Sequence, residues 1–371
     1  MSTIPDDLRT WAEIDLGALR HNLRHARQLI GGDTGILAVV KANAYGHGAA
    51  KIVPALAPDT AIFGVANLAE ADEIDSIRHG RDVMLLSPCL PSERQSAMRR
   101  GYIVTVSSAD EAAAYASLGN PLINFKIDTG MGRIGCWHEL AHQELTRTAA
   151  IKGITIHSIS THLPSADEDA DFTDAQLSTF WKSTADFRKT APAAKFHVLN
   201  SAGVLTRPER AGDVVRLGLA LYGASPLPAL QKSLRPVLTW KSRVVLVRDL
   251  PAGTGVSYGR TFITPRPMRT AVIAVGYADG FPRHASGQGA EVLIHGIRCP
   301  VIGRVTMDQI VVDATSLPSL SSGDVATLIG ADGDGEIPVS ELAECSGTIA
   351  WDIFTGIGKR VARFYKDSQP I

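Results

Sequence analysis

Cysteine is scarce in this sequence: only Cys89, Cys136, Cys299 and Cys345 occur, far apart and with no C-x-x-C spacing. That excludes a disulfide framework and a zinc module, so no metal is expected, and it suits a reducing cytoplasmic compartment. Excess charge is also missing. Lys and Arg number 37 against 38 Asp and Glu, a formal net charge of -1, which points to neither nucleic acid nor an anionic membrane as partner. No apolar run approaches bilayer length. The segment Met1 to Arg9 has no basic n-region and no apolar h-region, so no secretory signal is expected there.

What is present is material for a large core. Of the 371 residues, 45% are hydrophobic and 20% charged. The length exceeds one average domain and leaves room for a barrel with a smaller second domain. The chain is organised around Leu37–Gly48, reading L-A-V-V-K-A-N-A-Y-G-H-G. Leu37 to Val40 form a short apolar run suited to a strand buried on both faces. Lys41 ends that run, and a polar, glycine-rich turn follows. A lysine at the C-terminal end of a buried parallel strand stands where such folds place their chemistry. Near apolar walls it can lose its proton and form a Schiff base with a carbonyl. The ordinary alternative is a lysine snorkelling from the strand end into water.

From Ile36 to Gly223, apolar runs alternate with amphipathic stretches. Eight strand candidates end near Lys41, Val65, Leu86, Val106, Asp128, Thr161, Asn200 and Leu217. Helical stretches are expected over 68–77, 92–100, 109–117, 138–149 and 173–190, with Ser108 and Thr173 as caps. Repeated strand–helix units imply a parallel sheet, and eight imply a closed (β/α)8 TIM barrel. Its active face then collects Lys41, Arg133, His162, Asn200, Ser201 and Gly218. Ser201 can also be read as a helix N-cap. Arg216 lies inside the eighth strand and needs a partner; a structural ion pair is the ordinary reading, and His197 is a possible neighbour. Lys126, in a glycine-flanked buried strand, needs a partner or a lost charge.

Beyond Leu234 the pattern changes to short apolar runs divided by Gly and Pro: 243–247, 270–275, 291–294, 309–312 and 324–329. This reads as a mostly antiparallel β domain. The α/β barrel is therefore assigned to residues 1–232 and the C-terminal β domain to 233–371. Three motifs stand out there: G-V-S-Y-G around Tyr258, V-G-Y-A-D-G around Tyr277, and G-R-V-T-M-D-Q with Met307 and Asp308. A glycine-flanked tyrosine is most often a surface turn residue. To act as acid or base it needs a lowered pKa and hence a nearby cation.

Together these motifs resemble, in order and over nearly the whole chain, the alanine racemases, fold-type III isomerases that use pyridoxal 5'-phosphate (PLP). The resemblance implies interconversion of L- and D-alanine by two bases. Lys41 would carry the cofactor and serve one face; Tyr258 from the partner subunit of a head-to-tail homodimer would serve the other. Arg216 would face the pyridine nitrogen, backed by His197. Arg133 would meet the phenolic oxygen and the substrate, paired with Lys126, a position often carbamylated in the family. Tyr45, Ser201, Gly218 and Leu219 would hold the phosphate, and Asn200 and His162 would complete the cofactor site, His162 standing behind the tyrosine. Tyr277, Met307 and Asp308 would bind substrate at the entrance. One position departs: the family usually has tyrosine where this chain has Trp351, which has no hydroxyl to offer a phosphate. Other readings are a racemase of wider scope acting on serine, a decarboxylase of the same fold type, against which Arg216 speaks, and a non-catalytic PLP-homeostasis protein, which would lack the second domain.

Overall fold

The computed structural model describes residues 4–368. Met1–Thr3, the start of the polar N-terminal segment, and Gln369–Ile371 lie outside the described residues. Eight parallel strands form the first sheet: Gly35–Val39, Ile62–Val65, Asp82–Leu85, Ile103–Val106, Leu122–Asp128, Thr155–Ser160, Lys195–His197 and Val214–Leu217. They are counted below as barrel strands one to eight. Strands one to seven pair in chain order, and strand eight pairs with strand one. The ring is nearly closed. Its seam, between strands seven and eight, is bridged by Asp213 N–H to Phe196 O (2.8 Å) and Arg216 N–H to Leu199 O (2.9 Å). All eight expected strands are present.

The helices follow from local chemistry. In Leu16–Ile30, Leu19, Leu23 and Ala26 recur at helical spacing and are buried. The helix is capped by Asp15, whose carboxylate accepts from Gly17 N (2.8 Å) and Ala18 N (3.1 Å). Ser108 caps Ala109–Ala116 as expected, accepting from Glu111 N at 3.2 Å. Thr173 does not cap. The helix Ala170–Thr190 begins earlier, because Asp169 holds an extended backbone and accepts from Phe172 N at 2.9 Å. Thr173 is already inside the first turn, its N–H donating to Asp169 O.

The second sheet has nine strands, mostly antiparallel, built on the long strand Leu238–Leu250. The apolar runs read beyond Leu234 fall in or at the ends of its strands. Thr10–Asp15, counted with the barrel when the chain is divided at 232, pairs instead with Leu238–Ser242 and with Ala362–Lys366. Its hydrogen-bonding edge is satisfied there, and the Trp240 indole N–H donates to Thr10 Oγ1 at 3.0 Å. A TIM-like barrel followed by a mostly β C-terminal part is the fold.

Candidate active site

The C-terminal ends of the barrel strands open into a cavity of 630 Å³. Lys41, Tyr45, Lys126, Arg133, His162, His197, Asn200, Ser201, Arg216, Gly218, Leu219 and Trp351 all line it. Tyr258, Tyr277, Met307 and Asp308 do not. Tyr258 is 72% exposed, on the second sheet's side of the chain.

Lys41 follows barrel strand one, and the backbone beyond it winds the wrong way. Ala42, Asn43, Ala44 and Tyr45 all have φ between 51° and 53°. Left-handed turns cost L-residues roughly 1–2 kcal/mol each, so the surroundings must hold this one. They do. Glu70 accepts from Ala42 N (2.9 Å) and Ala66 N (2.7 Å). Asn43 Oδ1 accepts from Ala49 N at 2.7 Å. Arg363 Nε donates to Gly46 O (3.1 Å), and the Tyr365 hydroxyl to His47 O (3.1 Å). Lys41 is thereby fixed at the cavity wall. Desolvation there, then the charge of Arg133, lowers its pKa from the ordinary lysine value, with Glu70 opposing.

Arg216 is 5% exposed and overturns the ion-pair reading. Nη1 donates to His197 Nδ1 and His197 O, both at 2.9 Å. Nη2 donates to Thr161 O (2.7 Å) and Val198 O (2.9 Å), with His162 Nδ1 at 3.4 Å. No carboxylate partners it among the described residues; burial alone pushes it down to about 10. It stays protonated at neutral pH. Both histidines are held neutral: burial first, then Arg216, lowers each well below the usual imidazole value. Lys126 is lowered the same way, by burial, then Arg216 and Arg133, with Asp128 opposing. Positive charge thus converges on one cavity with little to balance it.

Ser201 is not the helix cap. Asn200 is, accepting from Gly203 N at 3.0 Å while its amide donates to Leu163 O at 3.0 Å. Ser201 Oγ instead accepts from Gly218 N (2.9 Å) and Ala220 N (3.3 Å). A Cβ on Gly218 would stand 2.6 Å from the Tyr45 hydroxyl, so only glycine fits beside that oxygen. Hydroxyls of Tyr45 and Ser201 and the backbone of Gly218 therefore form one small cradle.

Sequence reasoning missed several supporting groups. Asp128 accepts from Gly130 N, Met131 N and Gly132 N at 2.8–2.9 Å and so shapes the loop that carries Arg133. Ser160 lines the cavity with its hydroxyl unpartnered, as is His197 Nε2. Glu70 had a signal: Asn67-x-x-Glu70 has the spacing of a capping box, and Asn67 does accept from Glu70 N at 3.0 Å.

Known proteins resemble both halves of the chain. Residues 14–226 match the family model of the alanine racemase N-terminal domain, and 237–365 that of the C-terminal domain. The alanine racemase of Methylacidiphilum infernorum (isolate V4) is 40% identical over 370 residues, 98% of this chain and 94% of that protein. The structure of alanine racemase from Clostridium difficile 630 has a TM-score of 0.90 at 31% identity, covering 98% of this chain and 97% of that one. That from D-cycloserine-producing Streptomyces lavendulae has a TM-score of 0.87 at 36% identity, covering 99% of each chain. Both halves match in order and the likeness runs end to end, so the chain belongs to the alanine racemase family of isomerases.

Proposed function

We propose that this chain interconverts L- and D-alanine as a cytoplasmic homodimer, with pyridoxal 5'-phosphate in the barrel cavity. The observation that carries the reading is Arg216, a buried guanidinium with only neutral acceptors, in a cavity it shares with Lys41, Lys126 and Arg133. An isolated buried cation is costly unless a ligand of opposite charge completes the site. The cradle of Tyr45, Ser201 and Gly218 suits a phosphate, and the unpartnered Ser160 Oγ and His197 Nε2 leave polar capacity nearby. The residues present fit the cofactor. When bound, PLP supplies the electron sink that makes an amino acid's α-proton removable.

The chain's own groups supply the rest. Lys41, its pKa lowered, can hold the cofactor and exchange a proton on one face of the α-carbon. The second base has to come from outside this cavity, since Tyr258 does not line it. Burial raises the pKa of Tyr45, which makes that phenol a poor base. A partner's copy of the Tyr258 turn fills the role, and Tyr277, Met307 and Asp308 come with it to bind substrate. Arg216 keeps its proton, so toward a bound cofactor it would offer hydrogen bonds and positive charge and would not yield a proton. The free state of Cys89, Cys136, Cys299 and Cys345 suits a reducing cytoplasm. No helix among the described residues is long and apolar enough to cross a membrane. Borohydride reduction of the purified protein followed by peptide mass analysis tests the reading. A pyridoxyl-phosphate adduct on the Lys41 peptide, with racemisation of alanine before reduction, is expected; an unlabelled Lys41 overturns it.

A further inference from the structure

We infer that Arg360 is a positioning residue for substrate binding, clamping the loops of Tyr277 and Met307 to the segment that follows the Trp351 helix. The inference rests on the reading above, in which those loops serve the partner's cavity. Arg360 Nε lies 3.1 Å from Asp279 Oδ1, and Nη2 lies 2.7 Å from Asp308 Oδ1. These two carboxylates sit one on each loop. Asp279 has only 3% of its side chain exposed. Its other oxygen accepts from Gly276 N at 2.9 Å, so Arg360 is the charge that balances a carboxylate held inside the protein.

The loops are also tied directly to each other. Tyr277 N–H donates to Thr306 O and Ala278 N–H to Met307 O, both at 3.0 Å. The fit leaves no slack: a Cβ on Gly276 would lie 2.3 Å from both Thr306 O and Met307 O. Gly358 N–H donates to Asp279 O at 2.8 Å, joining the same loop to the turn between the helix Ala350–Gly356 and Arg360. That helix carries Trp351 into this chain's own cavity. Arg360 therefore stands between the wall of one cavity and the loops offered to the other. Its side chain is half exposed and does not line the barrel cavity, so it acts through the loops and not on the reacting atoms.

The test uses full-length wild type, Arg360→Ala and Arg360→Lys. Amide hydrogen exchange at Tyr277 and Ala278 should rise about tenfold in Arg360→Ala, since those bonds lose their clamp. In racemisation assays KM for alanine should rise roughly tenfold with kcat within about twofold, the signature of lost binding common to ground and transition states. Arg360→Lys, which keeps a charge for Asp279 but not the fork to Asp308, should recover much of the KM. Unchanged exchange in Arg360→Ala overturns the clamp. Raised exchange with unchanged KM, or a fall in kcat at constant KM, overturns its role in substrate binding. If Arg360→Ala does not fold, Arg360→Gln, which keeps the bulk and loses the charge, with wild-type exchange and a wild-type KM overturns the inference on its own. A wild-type protein with no racemase activity refutes the functional reading, and with it the substrate-binding half of the inference, whereas the exchange result stands or falls independently.

Discussion

The barrel cavity and the loop face of the second sheet differ in how finished they are. In the barrel, twelve of the sixteen residues singled out by the sequence line one cavity. Their charges perturb one another, and Arg216 reaches four acceptors on neighbouring strands without any other subunit. On the loop face, Tyr258, Tyr277 and Met307 are 72%, 42% and 52% exposed and stand outside that cavity. Electrostatic preparation is completed within one chain, whereas the proposed second base stands on an outward-facing surface. The difference teaches that the unit of folding and the unit of catalysis need not coincide.

Mixing inactive variants is the strongest way to break that comparison. Lys41→Ala and Tyr258→Phe should each lose activity by on the order of a thousandfold, the scale of a missing proton-transfer group. Hybrid dimers of the two should regain activity, because one of their two cavities receives an intact Lys41 and an intact Tyr258. Activity of the mixture no greater than the sum of the parents would place both bases in one chain. In Tyr258→Phe homodimers, α-deuterium exchange should fall more from L-alanine than from D-alanine.

The next effect sharpens the barrel side. Arg216→Glu should raise the ratio of transamination to racemisation by about tenfold, since a carboxylic acid can yield the proton that the guanidinium keeps. The ratio, followed by absorbance of the released cofactor form against D-alanine production, separates this from loss of fold. Glu70→Gln should have a smaller effect. The carboxylate favours the charged Lys41, so its removal lowers the lysine pKa further. The acid limb of the pH–rate profile for D-alanine should therefore move to lower pH, and movement to higher pH would reverse the assigned sign. Smallest is Trp351→Tyr, expected to change the ratio of serine to alanine turnover by about threefold through one wall of the cavity; an unchanged ratio would remove Trp351 from substrate choice.

Much of the barrel was legible because most of its strands are short, largely apolar runs. Lys41 just beyond the first, and Asn200 and Ser201 beyond the seventh, line the cavity. Three local readings failed for a common reason: a side chain has competing partners that only the fold brings near. Arg216 was expected in an ion pair, yet the seam of the barrel supplies carbonyls and imidazoles in place of a carboxylate. Ser201 was readable as a cap, but Asn200 takes that role and frees the hydroxyl for Gly218. Thr173 lost its place to Asp169 four residues earlier. The first strand, Thr10–Asp15, could not be assigned to a sheet from local pattern, because its partners lie more than two hundred residues away, as with Thr10 and Lys241. Nothing in one sequence shows what an exposed tyrosine turn will meet, so the loop face was legible only through likeness to a family.

The reversed winding after Lys41 has a consequence for how the molecule ages and fails. Two of its fastenings, Arg363 and Tyr365, come from the last strand, 317 and 318 positions downstream. A protease that trims that tail would leave every wall of the barrel standing and still unmoor the amine at its centre. Damage at that distant strand would then read out as a chemical lesion.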